Sequence, residues 1–208
     1  LAVASAAFIG VGMAAERAYA TLRAGAELQT TTERFGKLAA QINSTGDALL
    51  GKLREATKGM VSDQELMGSA TDFMSLKLAH SEEQLVRLTS VAGRLGWNLN
   101  SLIMEMNNMT GLRLDTLGLA LEDVKTKAEE LRESGMSAKQ AWAEAIIQAG
   151  ETRLEVGGVS EAEQAFKQAE AAVTNFKNAI LESTIATLAQ AGAFENLAAT
   201  ANNIQLAT

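Results

Sequence analysis

Glu161-Ala-Glu-Gln-Ala-Phe166-Lys-Gln-Ala169-Glu-Ala-Ala-Val173-Thr-Asn-Phe176-Lys-Asn-Ala-Ile180 places Ala162, Phe166, Ala169, Val173, Phe176 and Ile180 at alternating intervals of four and three residues. That period winds one apolar stripe along a single helix, in the manner of a heptad seam. The seam degrades at Ser183 and Thr187 while Leu181, Ile185 and Leu188 become the apolar set, so any coiled coil here is short and shifts phase. The alternative is one stripe of an ordinary globular helix. Upstream stands Gly157-Gly158, the most flexible pair in the chain and the expected hinge.

The remainder of the sequence follows the same helical logic. Among 208 residues there is no proline, and 47% are hydrophobic while only 4% are aromatic. Helix interiors are therefore unbroken, and the apolar content is carried largely by Ala and Leu, which favour helix over strand. Ser62 with Glu65, Ser81 with Gln84, Ser137 with Gln140 and Ser160 with Glu163 have the spacing of capping boxes, each ahead of an apolar-periodic stretch. The expected fold is all-α, with several short-to-medium antiparallel helices and one longer heptad-like helix near the C-terminus. Helices are predicted over 1–23, 27–43, 47–57, 63–79, 82–95, 99–109, 120–134, 138–155 and 161–191, with a short last one near 194–206. Three parts are expected: an apolar Ala/Gly-rich helix over 1–30, a helical domain over 31–156, and the long helix with its short successor over 157–208.

Composition removes most chemistry. There is no cysteine and one histidine, which excludes disulfides, thiol nucleophiles, zinc ribbons and multi-histidine metal sites. The net charge of −7 opposes sequence-specific nucleic-acid binding, since no surplus of Lys and Arg exists to release counterions from phosphates. His80 has no Ser–His–Asp partners that the sequence can identify. Glu82-Glu83, Glu122-Asp123 and Glu129-Glu130 are adjacent on helices, so their members diverge, and Arg87, Lys125 or Lys127 lies near; they read as solvated faces. Gly10-Val-Gly12-Met-Ala-Ala15 fits a loose dinucleotide fingerprint but lacks the preceding strand. Met104, Met106 and Met109, with Leu102 and Ile103, are expected to pack in the core rather than bind a partner. Trp97 and Trp142 are expected as packing anchors. No catalytic residue, cofactor or metal is expected.

Leu1 to Ala15 is an apolar run whose only polar residue is Ser5, and a sequence starting inside it reads as a piece of a longer chain. It falls short of the about 20 apolar residues a bilayer span needs. Ala6, Gly10, Ala14 and Ala18 recur every four residues, so small side chains share one helix face and allow close helix approach. Ala6, Gly10 and Ala14 are therefore candidates for self-association, together with Phe166, Val173, Phe176 and Ile180.

The middle of the chain resembles a known family. Leu53-Arg-Glu-Ala-Thr57-Lys-Gly59-Met-Val-Ser62-Asp63-Gln-Glu65-Leu66-Met67 is similar to a segment of the tail tape measure proteins of long-tailed bacteriophages and prophages, in which a helix ends at a Thr-x-Gly turn and a Ser-Asp cap opens the next. Leu114-Asp115-Thr-Leu117-Gly118-Leu119, followed by an acidic helix and Ser134-Gly-Met-Ser137, resembles the family's Leu-Asp-x-Leu-Gly-Ile element and its sequel. Gly157-Gly158, Ser160 and a long helix ending Phe176-Lys-Asn-Ala-Ile-Leu agree in order and spacing, so the resemblance spans about residues 35 to 190. Thr110-Gly111-Leu-Arg stands where the family commonly has Gly-Ser, and the family's proline after the long helix is absent.

The resemblance implies structural work. It implies an oligomeric helical protein that sets tail length during tube assembly, occupies the tail lumen of the virion after assembly in the host cytoplasm, and leaves during genome ejection. Implied partners are further copies of the chain, the tail tube protein, tail tip or baseplate hub proteins and tail assembly chaperones, with host membrane contact during ejection. Ser62 and Asp63 would be caps, Gly59 and Gly118 turn residues, and Leu114 and Leu117 buried contacts. The competing expectation is a membrane-active α-helical protein, pore-forming or channel-like, that uses the apolar N-terminal helix.

Overall fold

The structure, a computed structural model, describes the backbone of residues 2–190 and the side chains of residues 19–187. The described residues form eight helices and no strand: α1 (Ala2–Gln41), α2 (Gly46–Ala56), α3 (Asp63–Ser75), α4 (Glu82–Leu95), α5 (Leu99–Asn108), α6 (Leu121–Glu133), α7 (Ala138–Val156) and α8 (Glu161–Gln190). The chain divides into two compact units, Thr31–Asn175 and Leu1–Thr30 with Phe176–Thr208. The helix expected over 194–206 lies outside the described residues.

Two boundaries differ from the periodicity. The pattern predicts a break near residues 24–26, but α1 runs through it, with Gly25 inside the helix. In the unit that holds Gly25, a Cβ there would come within 1.5 Å of Ile185 Cδ1. That glycine is a contact point rather than a stop, and the Ala residues on either side keep the helix favourable. With 40 residues, α1 is also longer than the 30-residue α8, which the sequence marks as the longest. The third helix ends at Ser75 instead of 79 because Lys77 turns into the left-handed region at φ 58°, and Leu78 N–H donates to Phe73 O at 2.8 Å. The chain then drives Leu78 and Ala79 into the core. Without a glycine at the turn, no local signal announces that stop.

In the unit Thr31–Asn175, α4 is the hub and packs on α2, α3, α5 and α7. Its Leu85, Leu88, Val91 and Ala92 are buried at helical spacing. Helix α7 lies along α6 and also meets α4 and α5, so its run Ala141 to Ile147 is buried on every side. Phe35, Leu49, Leu53, Phe73, Leu102 and Met106 complete the core. Capping follows the expected serines: Ser62, Ser81, Ser137 and Ser160 accept from the N–H of Glu65, Gln84, Gln140 and Glu163. At Ser137 the return bond from Ser137 N–H to Gln140 Oε1 is also made, while Gln84 accepts from His80 N–H, one residue before its cap.

Candidate functional site

The first element is built around the end of α2. Thr57 is fully buried, its hydroxyl donating to Leu53 O at 3.0 Å, while its methyl lies where α4 crosses. A Cβ on Gly93 would stand 2.7 Å from Thr57 Cγ2 and 3.3 Å from its Cα, so only glycine admits this crossing without a shift. Gly59, at φ 70°, reverses the chain, and Ser62 caps α3. Asp63 binds Arg54 through two contacts of 2.6 and 2.7 Å, tying the first turn of α3 to the last turn of α2 and holding the guanidinium above its ordinary range. The Asp63 N–H, one of the unpaired donors at the helix start, donates to Asn175 Oδ1 at 2.8 Å. Thr57, Gly59, Ser62 and Asp63 are thus one turn-and-cap unit.

The second element hangs on a residue the sequence did not single out. Glu105, 1% exposed, turns its carboxylate into the following loop and accepts from Gly111 N–H at 2.6 Å, Arg113 N–H at 3.1 Å and the Thr110 hydroxyl at 3.2 Å. A buried carboxylate is tolerated because these donors replace its water. The pinned loop lays Leu114, Leu117 and Leu119 into the core and leaves Asp115 outside, where it accepts from Thr116 N–H. Gly118, at φ 66°, closes the turn, and Arg153 Nη1 donates to its carbonyl at 2.7 Å. Glu105 sits between two methionines in an apolar stretch, where one acid carries no periodic signal.

At the third element, Gly157 adopts φ 154° and ψ 144°, and a Cβ on Gly158 would meet Arg94 O at 2.7 Å. Val159 N–H donates to that same carbonyl at 3.1 Å, so the expected hinge is a turn pressed onto the end of α4. Beyond it, α8 is strapped by polar bonds: Gln168 Nε2 donates to Lys58 O at 2.8 Å, and Asn175 receives Asp63 N–H. Ala171 is buried on that side, whereas Phe166, Val173, Phe176 and Ile180 are 70, 53, 67 and 50% exposed. The apolar stripe therefore faces solvent, and the side with polar residues makes the contacts. The side chains of Ala6, Gly10 and Ala14 lie outside the described residues.

A groove of about 900 Å³ runs between α2, α4 and α7. Two of its cations, Arg87 and Lys52, are held in ion pairs. Arg87 is clamped by Glu151 through contacts of 2.8 and 2.7 Å and by Glu144 at 3.0 Å, bonds that raise its pKa further above its ordinary value. Lys52 pairs with Glu82 and holds that carboxyl below the usual range. A smaller cleft is lined by Ser62, Glu65, Lys167 and Glu170, where partial desolvation pushes the Glu65 carboxyl up, the Lys167 charge opposes this and Glu170 adds to it.

Among the described residues no group of acids or histidine could hold a metal ion. His80 is exposed at the α4 junction. Lys127 pairs with Glu130 and Lys125 with Glu122, as expected of solvated faces. The methionine cluster splits, with Leu102, Ile103 and Met106 buried but Met104 and Met109 exposed, because Met104 stands on the α5 face turned from the core and Met109 is the left-handed cap beyond the helix end, at φ 51°. Trp142 is buried, as expected of an anchor, although its Nε1 meets no acceptor among the described residues. Set beside known protein families, curated proteins and solved structures, the chain matches none.

Proposed function

We propose that this chain is a structural, non-catalytic segment of a tail tape measure protein, setting tail length while the tube polymerises, occupying the tail lumen and leaving with genome ejection. The observation that carries this reading is the order of three sequence elements, at Thr57–Asp63, Leu114–Gly118 and Gly157–Gly158. In this all-helical chain each supplies caps, turns and buried contacts rather than reactive groups. Such residues preserve a shape, which is what a length gauge requires. Its partners are further copies of itself, the tail tube protein, tip or baseplate hub proteins and assembly chaperones.

A helical gauge converts sequence into length at about 1.5 Å per residue. In-frame deletion of helical residues from the encoding gene, outside the folded segment described above, tests this directly by tail length in negative-stain microscopy. Tails shortened in that proportion support the reading. Unchanged tails, or a source that makes none, sink it. Among the described residues no helix is long and apolar enough to cross a membrane. If the tail test fails, dye leakage from anionic liposomes tests the membrane-active alternative.

A further inference from the structure

Residues 161–175 of α8 belong to the same unit as α2 to α7, yet they are held there differently from the core helices. Only Ala171 among them is buried, whereas α4 buries six of its fourteen residues. Two hydrogen bonds tie the segment to the α2–α3 turn: Gln168 Nε2 donates to Lys58 O and Asp63 N–H donates to Asn175 Oδ1, both at 2.8 Å. Beside them a cleft of about 280 Å³ stays open, with Met60, Val61 and Trp97 on the core side and Lys167, Glu170 and Ala171 on the α8 side. Across it Lys167 attracts Glu65 and Glu170 repels it. A broken polar contact is replaced by water at little net cost, whereas lost apolar burial is not replaced. At the upstream end, Gly157 and Gly158 carry no Cβ and turn freely once Gly158 leaves the Arg94 carbonyl.

We propose that residues 161–175 are a strap that swings off the α2–α3 turn and the end of α4 as an intact helix, pivoting at Gly157-Gly158, while α2 to α7 stay folded. Closed, the strap covers the cleft wall of Met60, Val61 and Trp97; open, it bares that apolar wall. The motion breaks two hydrogen bonds and uncovers Ala171 but leaves the buried faces of α4 and α7 together, so it exposes little surface. Such an opening has its own free energy, smaller than that of unfolding. It does not depend on the tail reading, and the strap and the length gauge can fail separately.

The chain has no native cysteine, so a single thiol reports its own uncovering. Ala171→Cys places one under the strap beside the cleft, and Thr89→Cys places one in the buried face of α4. Labelling of whole 208-residue chains by a thiol reagent is followed at urea concentrations below the unfolding transition. Ala171→Cys should react slower than a free thiol and at a rate that urea does not change, while the Thr89→Cys rate climbs with urea, because urea sensitivity scales with the surface exposed. Added to Ala171→Cys, Gln168→Ala should speed labelling about 2- to 10-fold, the worth of one hydrogen bond. Ile146→Val, which weakens the buried face of α7, should speed labelling of Thr89→Cys by about 2- to 10-fold and leave that of Ala171→Cys unchanged. Parallel urea dependence at the two thiols would overturn the proposal, as would Ala171→Cys reacting like a free thiol or ignoring Gln168→Ala. The unmodified chain supplies a check that needs no substitution: the Asp63 amide should exchange without urea dependence, and exchange in step with the α4 amides would overturn the strap as well.

Discussion

Helices α4 and α8 are both amphipathic, and they orient their apolar faces in opposite ways. In α4, Leu85, Leu88 and Val91 point into neighbours on four sides, so burial and helical period coincide. In α8 the more regular apolar pattern points outward, while Gln168, Ala171 and Asn175 make the inward contacts. Periodicity reports that one face of a helix avoids water. It does not report whether the covering surface belongs to the same chain.

The sharpest way to break this comparison is to remove one aromatic ring from each region. Phe73→Ala empties a fully buried site and should cost about 3–5 kcal/mol in urea unfolding followed by circular dichroism. Phe166→Ala, 70% exposed, should stay within about 0.5 kcal/mol under conditions where the chain is monomeric. Equal losses would mean that the α8 stripe is part of the core.

Glu105→Ala comes next, expected to lose about 1–3 kcal/mol because the part-buried Gly111 and Arg113 N–H groups lose their acceptor. Glu105→Gln, which keeps one acceptor oxygen, should lose less. Amide exchange at Gly111 and Arg113 should rise in the alanine variant ahead of the rest of the chain, and uniform acceleration would argue against a local pin.

Gly93→Ala should cost about 1–3 kcal/mol by pressing a methyl on Thr57. Thr57→Ser removes that Cγ2 while keeping the hydroxyl bond to Leu53 O, so the double variant should recover part of the loss. Strict additivity would place the strain elsewhere. A smaller effect belongs to the straps: Asn175→Ala should cost about 0.5–1.5 kcal/mol and speed amide exchange at Asp63, whose N–H it frees.

The smallest expected effect concerns pH. The Glu65 carboxyl has a raised pKa in the folded chain, so the folded state binds its proton more tightly than the unfolded state. Stability from this group is then highest below the unfolded value and falls as pH rises through the folded one. Glu65→Gln should be the more stable chain at neutral pH, with the difference closing in acid. A gap that widens on acidification would reverse the assignment.

Much of the architecture was legible because it is local. Serine caps, the absence of proline and the spacing of leucines act within one or two turns, so α2, α4, α5, α6 and α7 begin and end close to where periodicity sets them. The continuity of α1 and the early stop of α3 were not legible, since one turns on an Ile185 contact and the other on a lysine in a left-handed turn. Thr57 and Gly118 could be marked as turn residues, yet their partners Gly93 and Arg153 lie more than thirty positions away in the chain.

The residue order alone dictates an all-helical chain without thiol chemistry, and it marks Phe166 to Ile180 as a face that must be covered. Tertiary structure decided the direction of that face, the burial of Glu105 and the need for glycine at 93. The reason is physical. Capping and helical period are satisfied within a few residues, whereas burial depends on which surfaces meet across the chain, and no local pattern encodes that meeting.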